Sequence, residues 1–210
     1  MEPKQWIFMA GVAIFVAGCS PSSVGPAQWA GKTVILSGEY EAVMMGKDTS
    51  VALYDTSSVK ILNYFGPQEC SPCRLQDLIR WQALLSDLQP DSLQRSIRFI
   101  NIFGVNRDVG IMKINSMTYR IDYPIFIDTI GAFERANPHL PSDPLFHTFL
   151  LDRDNRVVLV GSPIGNPKMR ELYKSTIDRL VENGGILPKR DTYDTDCKYI
   201  CRDMIVKSFG

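Results

Sequence analysis

The sequence has no excess of charge of either sign, because its 210 residues carry 23 basic and 23 acidic side chains. It also has no run of five like charges, no low-complexity tract and no internal repeat. Balanced charge argues against a broad nucleic-acid surface, which needs clustered Lys and Arg. The lack of a repeat excludes solenoids and propellers. The length suits one domain of ordinary core volume with appendages.

A long apolar run is missing as well. The apolar stretch from Trp6 to Gly18 is shorter than the about 20 residues that a membrane-spanning helix needs, and it fits the core of a signal peptide. Its end, Val16-Ala17-Gly18-Cys19, resembles the lipobox of bacterial lipoproteins. That resemblance implies a signal peptide over residues 1–18 and a lipidated Cys19 that anchors the protein to a membrane of the cell envelope, facing the periplasm. An ordinary secretory signal or a short buried helix is the alternative.

Residues 19–31 are predicted to form a tether. Within them, Ser20–Gln28 is rich in Ser, Pro and Gly, so it cannot bury enough apolar surface to offset the entropy lost on ordering. The folded part is therefore expected to begin between Trp29 and Lys32.

Hydrophobic periodicity predicts an α/β chain with a mixed central sheet. Val59–Phe65 is β-branched and aromatic and stops at Gly66-Pro67, which is typical of a strand. From Leu75 to Leu88 the apolar residues recur at spacings of three and four, which indicates one face of a helix. Ser71 is expected to cap this helix, with Pro72 at its first position. Further strands are predicted over 32–36, 51–54, 97–103, 123–127, 147–152 and 157–161, and further helices over 109–119 and 166–182.

The strongest functional motif is Cys70-Ser71-Pro72-Cys73, which follows a predicted strand and opens a predicted helix. The N-terminus of a helix carries partial positive charge and free N–H groups, which stabilise a thiolate, and the thiolate is the attacking species. Cys70 is expected to be the exposed nucleophile and Cys73, more buried, the resolving cysteine. Two other interpretations stay open: half of a zinc site completed by Cys197 and Cys201, and a purely structural disulfide.

The chain resembles thioredoxin-like proteins, in particular the membrane-tethered thiol–disulfide oxidoreductases and redoxins. The resemblance lies in 59–79 (VKILNYFGPQECSPCRLQDLI), 123–128 (YPIFID) and 148–152 (TFLLD). It implies a thioredoxin-like domain over residues 32–190 with an N-terminal β extension, followed by a C-terminal tail over 191–210. It also implies that Cys70 and Cys73 exchange electrons with disulfide-containing client proteins or a redox partner protein. No organic cofactor is implied, since the dithiol itself carries two electrons.

Two departures from that family bear on activity. Glu69 stands where the family usually has Trp, and a carboxylate beside Cys70 is expected to raise the pKa of its thiol and favour a reducing centre. The family also places a cis-proline three residues before the phenylalanine of the TFL strand, where this chain has Phe146 and its nearest proline is Pro144. We expect a trans bond at Phe146, because a cis bond without proline costs about 2.5–4 kcal/mol.

Two rival functions remain at this stage. His147 lies in the loop that the resemblance places against the CxxC motif, so Cys70, Cys73 and His147 are alternative metal ligands of a copper-handling protein. The other rival is a non-catalytic interaction protein with the same fold. His139, in a Pro-rich loop, is expected to be solvated. For Cys197 and Cys201, a disulfide, an electron relay to Cys70–Cys73 and a reduced pair all stay open.

Overall fold

The computed structural model describes residues 29–53, 57, 59–88, 97–105 and 109–188. The predictions for the signal peptide, Cys19, Cys197 and Cys201 lie outside these residues. Within the described part, none of the helices combines the length and apolar character needed to cross a membrane.

A seven-stranded mixed sheet forms the centre of the domain, in the strand order β2-β1-β5-β4-β3-β6-β7. The central strands β3, β4 and β5 run parallel, while β6, β7, β1 and β2 join antiparallel. The predicted α/β thioredoxin-like architecture, with helices flanking a mixed sheet and a β extension before β3, is confirmed. The strands are β1 (Glu41–Met44), β2 (Lys47–Asp48), β3 (Val59–Phe65), β4 (Ile97–Gly104), β5 (Ile125–Asp128), β6 (Thr148–Leu151) and β7 (Val157–Val160), and the helices are α1 (Ser71–Leu88), α2 (Val109–Thr118), α3 (Ala132–Ala136) and α4 (Pro167–Glu182).

The sheet separates two apolar layers. Successive side chains of a strand point to opposite faces, so Ile61 of β3 packs with α1, α2 and α4 while Leu62 packs in the other layer. That second layer contains α3 and the N-terminal segment, where the Trp29 ring lies 5.2 Å from that of Phe149. Both faces of β3 are thereby buried, which explains its nearly continuous apolar sequence.

The N-terminal β extension lies elsewhere than predicted. Residues 32–36 form no strand: only Thr33 makes a bridge, to Arg156, and the Asn137 side chain bonds both the N–H and the C=O of Ile35. Residues 51–53 are not a strand either. The extension is the β1–β2 hairpin, turned by Met45 and Gly46, both with positive φ. Two such residues suit the right-handed twist of a hairpin.

The helix ends follow capping chemistry. Asn166 accepts a hydrogen bond from the N–H of Met169 at 3.1 Å and so caps α4, which begins at Pro167, one residue later than predicted. Helix α1 begins at Ser71, one residue earlier than predicted, which leaves Cys70 immediately before it. Because the carboxyl ends of parallel strands share one edge of a sheet, the ends of β3, β4 and β5 meet where α1 begins.

Candidate redox site

The two cysteines are joined where β3 passes into α1. Cys70 and Cys73 form a disulfide with their Cα atoms 5.3 Å apart, inside the ordinary range. The carbonyl of Cys70 accepts the N–H of Arg74 at 3.0 Å, so the helix starts at the disulfide itself. Both cysteines are exposed, so the expected burial of Cys73 is wrong. Its place in the first turn of α1 leaves the residue at the surface, as Cys70 is.

The loop that carries Cys70 is a tight turn held by Glu69. The backbone N–H of Glu69 donates to the carbonyl of Gly66 at 3.0 Å, and Glu69 Oε1 accepts the N–H of Gly66 at 2.7 Å. The two bonds close the turn in both directions. Glu69 therefore fixes the shape of this loop through its hydrogen bonds, in addition to giving the loop a negative charge.

The neighbouring strand leaves room for this loop because it ends in glycine. A Cβ at Gly104 would lie 3.0 Å from the Tyr64 hydroxyl oxygen and 3.1 Å from Pro67 Cδ. Contacts that short would require the neighbours to move by a few tenths of an ångström, so the glycine lets the loop approach the end of β4 closely.

The Glu69 carboxylate is paired with a cation, which the sequence did not indicate. Its Oε2 accepts Arg74 Nε at 2.8 Å, and its side chain is only 11% exposed. Arg74 also reaches Asp77 at 3.1 Å, and Asp77 lies 3.6 Å from Arg80. The expected rise in the Cys70 pKa assumed a carboxylate without a partner. In the structure, Arg74 offsets that charge.

A groove of about 220 Å³ opens beside this ion pair. One wall is the first turns of α1, with Glu69, Arg74 and Trp81, and the facing wall includes Leu145 and His147 from the loop before β6. Leu145 is 67% exposed. The groove thus offers an apolar side chain and charged side chains on opposite sides.

The loop before β6 contains a 3₁₀ turn over Pro144–Phe146, capped by Asp143, whose side chain accepts the N–H of Leu145 at 3.0 Å. The described residues contain no cis peptide bond, so Phe146 is trans, as expected. This turn occupies the place that the resemblance gives to the cis-proline.

His147 is 8% exposed and its tautomer is set by a backbone group. Its Nε2 lies 2.6 Å from the Pro141 carbonyl oxygen, and because a carbonyl only accepts, Nε2 carries the hydrogen. Nδ1 has no hydrogen-bond partner among the described residues. The same residues contain no group of three His, Cys, Asp or Glu side chains that could hold a metal ion. The structure therefore does not gather Cys70, Cys73 and His147 into a metal centre.

A buried polar chain crosses the sheet under the groove, and sequence reasoning missed it. Asn63 Nδ2 donates to Asn101 Oδ1 at 3.0 Å, and Thr148 Oγ1 donates to Asn63 Oδ1 at 2.9 Å. The three residues lie side by side on β4, β3 and β6. An asparagine in the middle of an apolar strand was the available signal, but its partners depend on register.

Tyr64, one residue further along β3, is held neutral. Burial raises the pKa of its hydroxyl, and the negative charge of Glu134 raises it further. Its ring packs 4.6 Å from Phe133 and 5.5 Å from His147. Tyr64 thus packs against the loop before β6 through the His147 ring. His139 is exposed, as expected, and only its backbone carbonyl is engaged, by Trp29 Nε1.

No protein-family model matches the chain, and no curated protein matches it either. Among solved structures it is similar to a thioredoxin-like protein in its oxidised form, at 16% identity over 74% of this chain and 98% of that one, with a TM-score of 0.45. It is also similar to StoA from Bacillus subtilis, at 17% identity over 66% and 97%, with a TM-score of 0.45. A third is a putative thiol:disulfide interchange protein DsbE from Chlorobium tepidum, at 16% identity over 61% and 81%, with a TM-score of 0.39. All three likenesses are distant.

Proposed function

We propose that this protein is a thiol–disulfide oxidoreductase of the bacterial envelope that reduces disulfides in client proteins. The observation that carries the proposal is the exposed, disulfide-bonded Cys70–Cys73 pair at the start of α1. The residues that flank the pair, Glu69 and Arg74, line an open groove. A structural disulfide gains nothing from exposure, whereas an exchanging one requires it.

The reaction balances within the dithiol. The Cys70 thiolate attacks one sulfur of a client disulfide, forms a mixed disulfide and expels the other client sulfur as a thiolate. Cys73 then attacks the Cys70 sulfur, which releases the client as a dithiol and leaves the Cys70–Cys73 disulfide. Two electrons pass to the client, and a dithiol protein of the envelope restores the reduced pair.

The location is part of the proposal and follows from Cys19. A lipid anchor on Cys19 and the predicted tether, which is shorter than 19–31 because Trp29 is already buried in the domain, would hold the domain near a membrane surface. Expression of the full chain in bacteria with a clickable fatty acid tests this, since the label is expected on wild type and absent from Cys19→Ser. A label that persists in Cys19→Ser contradicts the anchor without touching the redox chemistry.

The deciding experiment is a redox titration of the full chain with the thiols counted by mass-tagging. A reversible two-electron couple that belongs to Cys70 and Cys73 is expected, with partners trapped on Cys70 in Cys73→Ser. A potential near about −270 mV supports reduction of clients, whereas one near about −120 mV supports oxidation. A pair that does not exchange with small dithiols overturns the catalytic proposal and leaves a non-catalytic interaction protein.

A further inference from the structure

An ion pair brackets the redox motif. Glu69 is the residue before Cys70, Arg74 is the residue after Cys73, and their side chains meet at 2.8 Å. We call Glu69 and Arg74 the clasp. Its partners are five residues apart across the junction of loop and helix, so this is not an ordinary helix-surface pair.

Both oxygens of the Glu69 carboxylate are in use. Oε1 accepts a hydrogen bond from the Gly66 N–H, and Oε2 accepts one from Arg74 Nε. The Glu69 side chain is 11% exposed and the Arg74 side chain 36%. The charge of Glu69 is therefore the better shielded of the two and is screened less by salt. Breaking the clasp therefore changes charge at the motif more than the loss of a surface pair would.

The clasp flanks the motif directly in the sequence, so its net charge would act on the Cys70 sulfur after reduction. An unpaired guanidinium beside the motif would stabilise the thiolate, and an unpaired carboxylate would destabilise it. Together they nearly cancel. Other charged groups nearby are Asp77 and Arg80 on α1, and Glu134 on α3, whose Oε1 would lie 3.9 Å from a Cβ at Gly66.

We propose that Glu69 is a positioning residue that neutralises Arg74 and thereby keeps the Cys70–Cys73 couple reducing. The inference rests on the proposed function and adds the residue that sets its direction. Stabilising the thiolate stabilises the reduced form, and a couple whose reduced form is stabilised becomes more oxidising. By cancelling the cation, Glu69 prevents that shift.

The test uses two variants that must act in opposite directions. Glu69→Gln keeps an oxygen for the Gly66 N–H but removes the better buried of the two carboxylates that pair with Arg74, leaving only Asp77. The equilibrium with glutathione is therefore expected to shift three- to tenfold towards the dithiol. Arg74→Gln leaves the carboxylate unopposed and is expected to shift it by a similar factor towards the disulfide. A tenfold change corresponds to about 30 mV for this couple. The pH midpoint of Cys70 alkylation is expected to fall in Glu69→Gln and rise in Arg74→Gln.

The double variant Glu69→Gln/Arg74→Gln completes the cycle and is expected to return within twofold of wild type. Arg80→Gln is the matched control: Arg80 lies on the same helix and also contacts Asp77, but it is 71% exposed and has no contact with Glu69. Its equilibrium constant is expected to stay within twofold of wild type.

Shifts of the same sign in both single variants, or no shift in either, would overturn the role of the clasp, because a merely structural turn would loosen alike in both. Wild-type protein that fails to equilibrate with glutathione at all would instead refute the proposed function. The two failures are therefore distinguishable in one titration.

Discussion

The charged side chains at the two ends of strand β3, Lys60 and Glu69, are stabilised in different ways. Near its start, Lys60 is 2% exposed, and its ammonium donates to the backbone carbonyls of Arg153 at 2.9 Å and Asp152 at 3.4 Å. Beyond its end, at the rim of an open groove, the charge of Glu69 is balanced by the Arg74 side chain, while its other oxygen accepts the Gly66 N–H. A buried charge satisfied by the backbone is part of the fold, whereas one balanced by another side chain can be changed without losing the fold. Changes at the first end should therefore affect stability, and changes at the second end the redox chemistry.

The largest expected effect is at the groove end and leaves the fold intact. Cys70→Ser is expected to abolish exchange with oxidised glutathione, because it removes the attacking thiolate. Its free energy of unfolding should match that of reduced wild type within about 0.5 kcal/mol, as for other exposed substitutions. Stopped-flow exchange and urea unfolding measure the two quantities. Exchange that survives in Cys70→Ser but not in Cys73→Ser would reverse the assigned roles.

The next largest effect is expected at the Lys60 end of β3, where a substitution should lower the stability and leave the redox equilibrium unchanged. Lys60→Ala leaves carbonyl groups unsatisfied and a cavity, so it is expected to lower the free energy of unfolding by about 3 kcal/mol. Lys60→Met, which keeps the apolar stem, should lose less. Both should keep the wild-type equilibrium with glutathione. A shifted equilibrium in a folded Lys60 variant would break the contrast between the two ends.

The polar chain between the two ends sharpens the comparison. Asn63→Ala removes the partner of both Asn101 and Thr148 and is expected to cost about 2 kcal/mol of stability. Thr148→Val removes one hydrogen bond at nearly constant shape and is expected to cost about 1 kcal/mol. Urea unfolding of both variants gives the ranking. Equal losses would show that Asn101 finds another partner.

The smallest expected effect is a pH dependence of the stability, caused by Asp152 in the turn between β6 and β7. Burial raises the pKa of Asp152, against the opposing hydrogen bonds from the N–H groups of Arg156 and Asp154. The folded state therefore binds this proton more tightly than the unfolded state, and the stability that it adds is lost as the pH rises through the folded pKa. Asp152→Asn keeps an acceptor for the turn and should flatten that slope. We expect its stability relative to wild type to be higher at neutral pH than in the acid range near the ordinary Asp pKa, which thermal unfolding across pH can measure. If stability changes with pH in Asp152→Asn as it does in wild type, other carboxyl groups cause the pH dependence.

Sequence periodicity predicted the elements that carry dense apolar patterns, such as β3 and α1, because the core demands those patterns directly. It failed over residues 32–36, where burial comes without a ladder of backbone hydrogen bonds, since one bridge and the Asn137 side chain take their place. It also missed the β1–β2 hairpin. Its turn uses Met45 at positive φ, and methionine gives no turn signal.

The site divides in the same way. Local spacing was enough to predict that the Cys70 and Cys73 sulfurs lie within bonding reach, because the motif lies within one turn of chain. The partner of Glu69 was not predictable, since a contact over five residues follows neither helix nor strand spacing. The contacts of Asn63 with Asn101 and Thr148 join residues 38 and 85 positions apart, so they follow only from sheet register.

Gly104 links the shape of the loop that carries Cys70 to a strand that contains neither cysteine. A Cβ at Gly104 would lie 3.1 Å from Pro67 Cδ and 3.3 Å from Pro67 N, so a side chain there would require the loop to shift by a few tenths of an ångström. Under the proposed function, the presentation of Cys70 to a client therefore depends on the backbone of β4, and a substitution at Gly104 would alter it without touching either cysteine.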